Sequence, residues 1–446
     1  MTIAVTSAAT IARAPARATI VAAGAALAAL GLASPAAWAA PAAPAAKPAS
    51  AALAPSKTET AALQATTAAI GDLGLALLRE APGPNAVISP LAVATMLGMI
   101  QSGATGATEA EIESLFGAGS AGALAMRRSL PTLSAQLRGP LARRDDAQAA
   151  PMRQAARVWI DSSVAKQVPP AFRQRLAQRH GADALTLSFA DTEAARAQIN
   201  RWTAEHTAGR VAELLPAGSL ARSTQVTLTA AVHFRSGWVK PFDAGQTEPR
   251  AFSTSAGGSA AVPTLNDERE VAQALVDGTQ LYALPFASDY DLVLAMPAAG
   301  SGVDALLKGL SGASFARWQS ALKLPPPMRC SFAMPKFNFS PKAGSIKAPL
   351  ERLGVKTAFT DRAELRPMLG RAAAGTHVDD VHHAAGIAID EQGGEAVAAA
   401  AATVKPKTLA VPPACAVDRA FAFVVMHRAS GVPLFVGRVG DPARGE

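Results

Sequence analysis

Apolar residues recur at helical spacing from Glu59 to Arg79, at Leu63, Ala68, Ile70, Leu73, Leu75, Ala76 and Leu78, until Pro82 and Pro84 interrupt them. That spacing predicts a helix with one apolar face. Asn85 to Pro90 reads as a short extended piece, and the mostly apolar stretch Leu91 to Ser102 as a second, buried helix. Thr108, followed three residues later by Glu111, has the form of a capping box and predicts the start of a third helix. Residues 194–206 predict another, ending near Gly209. The period then changes from helical to alternating. Val226 to Phe234 alternates and is rich in strand formers, and strand-like runs return at Leu281 to Phe286, Tyr290 to Met296, Met328 to Phe339, Ala384 to Ile389, Phe421 to Met426 and Leu434 to Val439. Helices first and strands later argue for an α+β protein in one large domain rather than a βαβ series. No repeat of fixed period is present.

The N-terminus stands apart from this pattern. Arg13 and Arg17 precede an apolar run, Ala18 to Ala33, followed by Pro35 and the small-x-small triplet Ala37-Trp38-Ala39. This is the form of a cleavable export signal, so residues 1–39 are expected to be removed and the mature protein to be secreted or periplasmic. The run is short and alanine-rich for a membrane span, and no later stretch reaches the roughly 20 apolar residues that one needs. A protein without membrane contact is expected. Residues 40–57 are rich in Ala and Pro and read as a linker, which leaves 58–446 as the folded domain.

Half of the 446 residues are hydrophobic, enough for a sizeable core, and loss of Arg13 and Arg17 lowers the formal charge from +8 to +6. Arg127, Arg128, Arg138, Arg143 and Arg144 form the densest basic cluster, but Asp145 and Asp146 follow at once. A solvated helix face fits that mixture better than a nucleic-acid site, and no nucleic-acid partner is expected. The two cysteines, Cys330 and Cys415, match no metal spacing; in an exported protein they fit one disulfide or two buried thiols equally well.

No nucleophile elbow, phosphate loop, zinc-protease helix or dinucleotide fingerprint occurs. His377, His382 and His383 with Asp379 and Asp380 are the one cluster that resembles a metal or acid/base site, yet their spacing matches no compact ligand set. A hydrogen-bonded turn with one buried histidine is the better reading, so neither a metal nor a cofactor is expected and the chain does not read as an enzyme. A secreted hydrolase of unfamiliar type is the residual alternative.

Residues 389–408, IDEQGGEAVAAAAATVKPKT, are more informative. Gly393-Gly394 supplies a hinge, a run of small side chains follows, and Lys405-Pro406-Lys407 closes it. Small side chains could slide between existing strands without overfilling the space beneath them. An alanine-rich linker fits the segment alone equally well.

The flanking motifs separate these readings. Asp418 to Phe423, then Gly431 to Pro442 (GVPLFVGRVGDP), closely resembles the closing signature of the serpins, metastable inhibitors of serine and sometimes cysteine proteases. Other family-like motifs follow in family order: Asn85 to Pro90; Gly103-Ala104 to Thr108; Ile199 to Trp202 with Thr207 and Gly209; Ala231 to Phe234 with Trp238, Phe242, Thr247 and Phe252; Pro335 to Phe337; and Leu353 to Val355. The similarity covers roughly 58–446.

This resemblance implies three β-sheets, eight or nine helices and an exposed reactive loop over about 391–412, in a monomer whose partner is a serine protease. The protease cuts the loop, which then enters the main sheet as a new strand before the acyl-enzyme hydrolyses. The implied hinge is Glu391, Gly393, Gly394, Glu395, Ala396, Val397, Ala398 and Ala399. Counted in twos from Gly394, the inward residues Ala396, Ala398, Ala400 and Ala402 are all small, which suits insertion. Gly394 departs from the family's Thr or Ser and costs strand propensity.

Counting sixteen residues from Glu391 makes Lys407-Thr408 the reactive bond and a trypsin-like protease the target; counting back from Pro412-Pro413 gives Leu409-Ala410 and an elastase- or chymotrypsin-like target. Lys336, Glu391 and Trp238 match the breach at the top of the main sheet, and Ser89 with His383 the shutter beneath its centre. Ala230 and Ala92 replace the family's Asn and second Ser, so a thinner shutter is expected, and a non-inhibitory serpin that binds or chaperones is the second reading. Within the family framework Cys330 and Cys415 fall on neighbouring strands, which predicts a disulfide. The export signal and the Ala/Arg bias suggest a bacterial source.

Overall fold

The computed structural model describes residues 57–117, 121–138, 151–339, 344–394 and 412–444. The proposed bonds Lys407-Thr408 and Leu409-Ala410, hinge residues Glu395 to Ala399, the export signal, and Arg143 and Arg144 lie outside them.

The strand Val226–Phe234 explains the architecture. All nine of its residues are buried, because both faces are covered. Val226, Leu228, Ala230, Val232 and Phe234 belong to the main core, whereas Ala231 packs with Ala155, Val211, Leu214 and Ala384 under a second layer. That second layer is the helix Thr192–His206 with the segment after it. Asp191 caps the helix by accepting from Ala194 N at 3.0 Å, and Ile199 joins Trp159 and Phe189 beneath it. Asn200 Oδ1 accepts from the backbone N–H of Leu214 and Leu215, which holds the following segment against the strands.

The main sheet runs in the order Ala184–Leu187, Met152–Asp161, Val226–Phe234, Asp380–Ile389, Gly393–Gly394, Ser236–Gly237, with Phe337–Phe339 and Gly344–Ser345 also pairing to Asp380–Ile389. Its two central strands are parallel and directly paired from Asp380↔Thr227 to Gly386↔His233.

The other strands form a nine-stranded hydrogen-bonded network that contains two sheets in series. They share the long strand Ser259–Val276, whose first part pairs with Glu248–Ser253 and Met328–Pro335 and whose last five residues pair with Thr279–Pro285. One strand thus serves two sheets, and three sheets result. Among the described residues eleven α-helices occur, more than the eight or nine expected; Ser162–Ala165 and Arg366–Leu369, single turns of four residues, account for the excess.

Two expectations need correction. The third helix spans Gly106–Ser114 with Thr105 as its N-cap, so Thr108 lies inside it. Thr108 Oγ1 accepts from Glu364 N, and the Glu111 carboxylate accepts from Lys356 N and Thr357 N at 2.7 Å each, capping a different segment. The capping-box spacing was real, but tertiary partners outbid the local one. Secondly, the helix over 58–80 is long and apolar enough, by length and composition, to cross a membrane. Its Ile70, Leu73, Leu75, Leu77 and Leu78 are instead buried in the protein core.

The first and last strands, Asn85–Ile88 and Pro433–Val439, pair antiparallel and anchor the core helix Pro90–Gln101. Asn85 Oδ1 accepts from Gly440 N and Asp441 N, while its Nδ2 donates to the carbonyls of Asp441 and Arg444. Gly437 leaves room for the Phe423 ring, which a Cβ there would meet at 2.3 Å. Arg438 is buried and donates to the carbonyls of Leu78, Ala81 and Gly83, the C-terminal end of the first helix. Arg438→Ala strands these acceptors and should cost about 3 kcal/mol, seen as a lowered urea midpoint; an unchanged midpoint would remove Arg438 from the account.

Candidate functional site at the top of the main sheet

Asp380–Ile389 ends in a tight turn that folds the chain back onto the sheet. Asp390 Oδ1 accepts from Gln392 N at 2.8 Å and Gly393 N at 3.1 Å, and Asp390 N donates to Gly393 O. Gly393 has φ +139, and a Cβ there would lie 2.3 Å from Ser236 O, so only glycine suits the position. The returning pair Gly393–Gly394 lies between Ile389 on one side and Ser236–Gly237 on the other. A Cβ on Gly394 would point at Phe234, 3.1 Å away, and Phe286. The 394 face is therefore the core-facing one.

Three side chains hold this turn. Lys336 Nζ donates to both Glu391 oxygens, at 3.0 and 2.8 Å, and Thr247 Oγ1 donates to Glu391 Oε1 at 2.7 Å. Burial opposes ionisation of Glu391, but the hydrogen bonds from Lys336 and Thr247 outweigh it and keep the carboxyl below its ordinary value. Trp238 donates through Nε1 to Asp390 O and through its backbone N–H to Gln392 O, while its ring stacks on Phe286 at 4.5 Å. Lys336, Glu391 and Trp238 thus meet at one point, with Gly393 and Gly394 beside them. Thr247 and Asp390 complete the site; Thr247 falls in the family-like motif that runs from Ala231 to Phe252, whereas sequence reasoning assigned Asp390 no part in it. The Asp-x-x-Gly spacing of Asp390 to Gly393 was the available signal for the turn.

Below, at the sheet centre, His383 lies opposite Ala230 in register. Its Nε2 accepts from the backbone N–H of Ser89 at 3.2 Å, and Ser89 Oγ has no hydrogen-bond partner among the described residues. The Ser89–His383 contact therefore runs through the main chain. Ala92 is buried in the core, where it offers no hydroxyl.

Of the remaining polar cluster, among the described residues only His382 and Asp380 stay in contact, His382 Nε2 lying 3.6 Å from Asp380 Oδ2. His382 and His383 are consecutive in a strand and face opposite sides, and Asp379 Oδ2 accepts from Gln225 N and Val226 N. Among the described residues no group of three or more His, Cys, Asp or Glu could hold a metal. Arg127 lies on the helix Ala121–Arg138 and is paired with Glu109 at 2.7 Å and with Glu113. Cys330 and Cys415 form a disulfide with Cα atoms 5.9 Å apart.

A family profile described as Serpin (serine protease inhibitor) matches residues 68–442. The chain belongs to the serpin family. Serpin-Z2A of Triticum aestivum is 29% identical over 381 residues, covering 82% of this serpin and 92% of that protein. Serpin-Z3 of Arabidopsis thaliana is 28% identical over 375 residues, covering 82% and 93%. Both are plant proteins, and neither supports the bacterial source that composition suggests. The same fold is seen in Manduca sexta serpin-12 (TM-score 0.72, 23% identity, 85% of this serpin and 99% of that chain). Human thyroxine-binding globulin, solved with its hormone, superposes with TM-score 0.74 at 20% identity over 86% of this serpin and 100% of that chain. Serpins are in general protease inhibitors, not enzymes, and their partners are in general proteases.

Burial of His383, on the central strand Asp380–Ile389, pushes its pKa down to about 4, against an opposing hydrogen bond with the backbone of Ala230. The folded state therefore refuses a proton that the unfolded chain binds below about pH 6.5. Stability should be unaffected by this group above pH 6.5 and fall as pH drops from there toward 4, by up to about 3 kcal/mol. Thermal midpoints against pH should decline less steeply in His383→Gln; parallel declines would assign the acid sensitivity elsewhere.

Proposed function

We propose that this serpin is an exported inhibitor of a trypsin-like serine protease that acts by trapping. The protease's serine oxygen forms an ester with the Lys407 carbonyl carbon, the Lys407–Thr408 C–N bond breaks, and the released Thr408 amine takes the proton. The freed N-terminal portion of the loop then enters the main sheet between Val226–Phe234 and Asp380–Ile389. A lysine side chain suits a specificity pocket with a buried acid.

The observation that carries this reading is the seat of Gly393–Gly394 at the open end of the seam. The two central strands pair directly at seven positions, Asp380↔Thr227 to Gly386↔His233, and only beyond them does the hinge stand between two strands. Continuing the chain from Gly394 toward Val226 makes each central strand pair with the new one instead of with the other. Seven pairs are lost and roughly twice as many gained. At about 1 kcal/mol net per added hydrogen bond, the gain is on the order of 7 kcal/mol. Because the Gly394 face meets Phe234 and Phe286, alternation turns Ala396, Ala398, Ala400 and Ala402 toward the core, where their size fits. The uncut protein is then a kinetic trap. Export is favoured by the N-terminal pattern and by a disulfide, which persists in oxidising compartments.

The partnerless Ser89 hydroxyl and Ala230 favour a second reading, a serpin cut without trapping its protease, as a binding or chaperone-like protein would be. Incubation with trypsin followed by a denaturing gel separates the two: trapping gives a complex that survives SDS, simple cleavage gives only a shortened serpin. Lys407→Ala should slow complex formation with trypsin by about 100-fold or more. Inhibition that survives the substitution moves the reactive bond to Leu409-Ala410 and the target to an elastase- or chymotrypsin-like protease.

A further inference from the structure

The short strand Ala414–Ala416 is the first described element after the loop, and it sits at the edge of its sheet. It pairs in parallel with Met328–Pro335 at three positions only, Ser331↔Ala414, Phe332↔Cys415 and Ala333↔Ala416. Two hydrogen bonds flank it, Ser331 N to Pro413 O and Val417 N to Ala333 O. A three-residue parallel edge strand is a weak attachment by itself. Yet Cys415 at its centre is 1% exposed and is bonded to Cys330, itself fully buried, on the neighbouring strand. The strand is bolted to its neighbour across 85 residues of sequence.

Chain length gives this bolt a consequence. An inserted strand that starts at Gly394 opposite Ser236 reaches Val226 with about ten residues, roughly 33 Å at 3.3 Å per residue. Of the residues before Ala414, nine then remain, 405–413, and they span at most about 36 Å when fully stretched. They would have to climb back the whole inserted length with no slack. They would then have to reach Ala414, which stands opposite Ser331, five residues ahead of Lys336 along its strand. An intact loop can therefore fill the seam only if Ala414–Ala416 leaves its sheet. A cut loop has no such requirement, because its two ends are separate.

We propose that the Cys330–Cys415 disulfide is a covalent latch that denies the intact reactive loop access to the main sheet, so that insertion waits for cleavage. The latch rests on the trapping reading above. It blocks the unproductive route and leaves the productive one untouched, a selectivity that a merely stabilising crosslink lacks. Its protection is needed most in a chain like this one, where all inward loop residues are small and the Ser89 hydroxyl has no hydrogen-bond partner among the described residues.

The test compares wild type with Cys415→Ser and with the thiol-free pair Cys330→Val, Cys415→Ala. Each is held without protease and sampled over time for intact mass, SDS-stable complex formation with trypsin, and thermal midpoint. The latch predicts that both variants lose complex formation about tenfold faster than wild type or more, at unchanged mass and with a rising midpoint. Should the variants fold poorly, wild type reduced by a dithiol, which leaves as its cyclic disulfide, and then capped with iodoacetamide provides the same comparison on a folded chain. Variants that stay active as long as wild type overturn the latch alone, provided cut wild type gains stability. Wild type that forms no complex and gains no stability on cutting overturns the trapping reading and the latch with it.

Discussion

Two parallel strands, Val226–Phe234 and Asp380–Ile389, are hydrogen-bonded to each other along a seam that could accept a third strand between them. Most of the structure either covers that seam or closes it. The core helix Pro90–Gln101 lies beneath, the helix Thr192–His206 and the segment after it lie above, and a turn built on Asp390 and Gly393 stands at the open end. The paired strands satisfy each other's backbone groups along the seven paired positions. On the trapping reading proposed above, the deficit would lie in a second ladder not yet formed.

Polar contacts at the top fix where the next strand would start. Lys336 and Thr247 fasten Glu391, Trp238 fastens the carbonyls of Asp390 and Gln392, and the absence of side chains at Gly393 and Gly394 lets the chain enter between two strands already in place. The seam's centre is held by fewer polar contacts. His383 reaches Ser89 only through the backbone, and Ala230 opposite offers no side-chain partner. Ala231 and Ala384 pack there with Val211 and Leu214.

Legibility followed the range over which each residue's role is decided. Asn85, Gly437 and Arg438 were legible only as members of family-like motifs; the structure shows that each answers a backbone need that few residue types can meet: capping a terminus, clearing a ring, satisfying a helix end. Met152–Asp161, which pairs with Val226–Phe234 across the sheet, was missed, since Arg153, Gln154 and Arg157 break its alternation. Arg157 is accommodated by lying 4.3 Å over the Trp202 ring, a partner forty-five positions away that no local pattern predicts. Ser259–Val276 was missed for the same reason: Asn266 to Glu270 is an unbroken polar run. There Arg269 sits 3.4 Å over the Phe242 ring and pairs with Asp267. At the site, the Lys336–Glu391 pair and Thr247 were visible through family motifs, whereas Asp390 acquires its role only from the turn's geometry.

The most direct test of trapping is amide hydrogen exchange across residues 394–404 before and after a single cut in the loop, read by mass spectrometry. Insertion predicts that in the cut protein these amides become as protected as those of Val226–Phe234. Exchange at the rate of an unstructured peptide after cutting would contradict it, and the seam would then be a closed structural core rather than a receiving site.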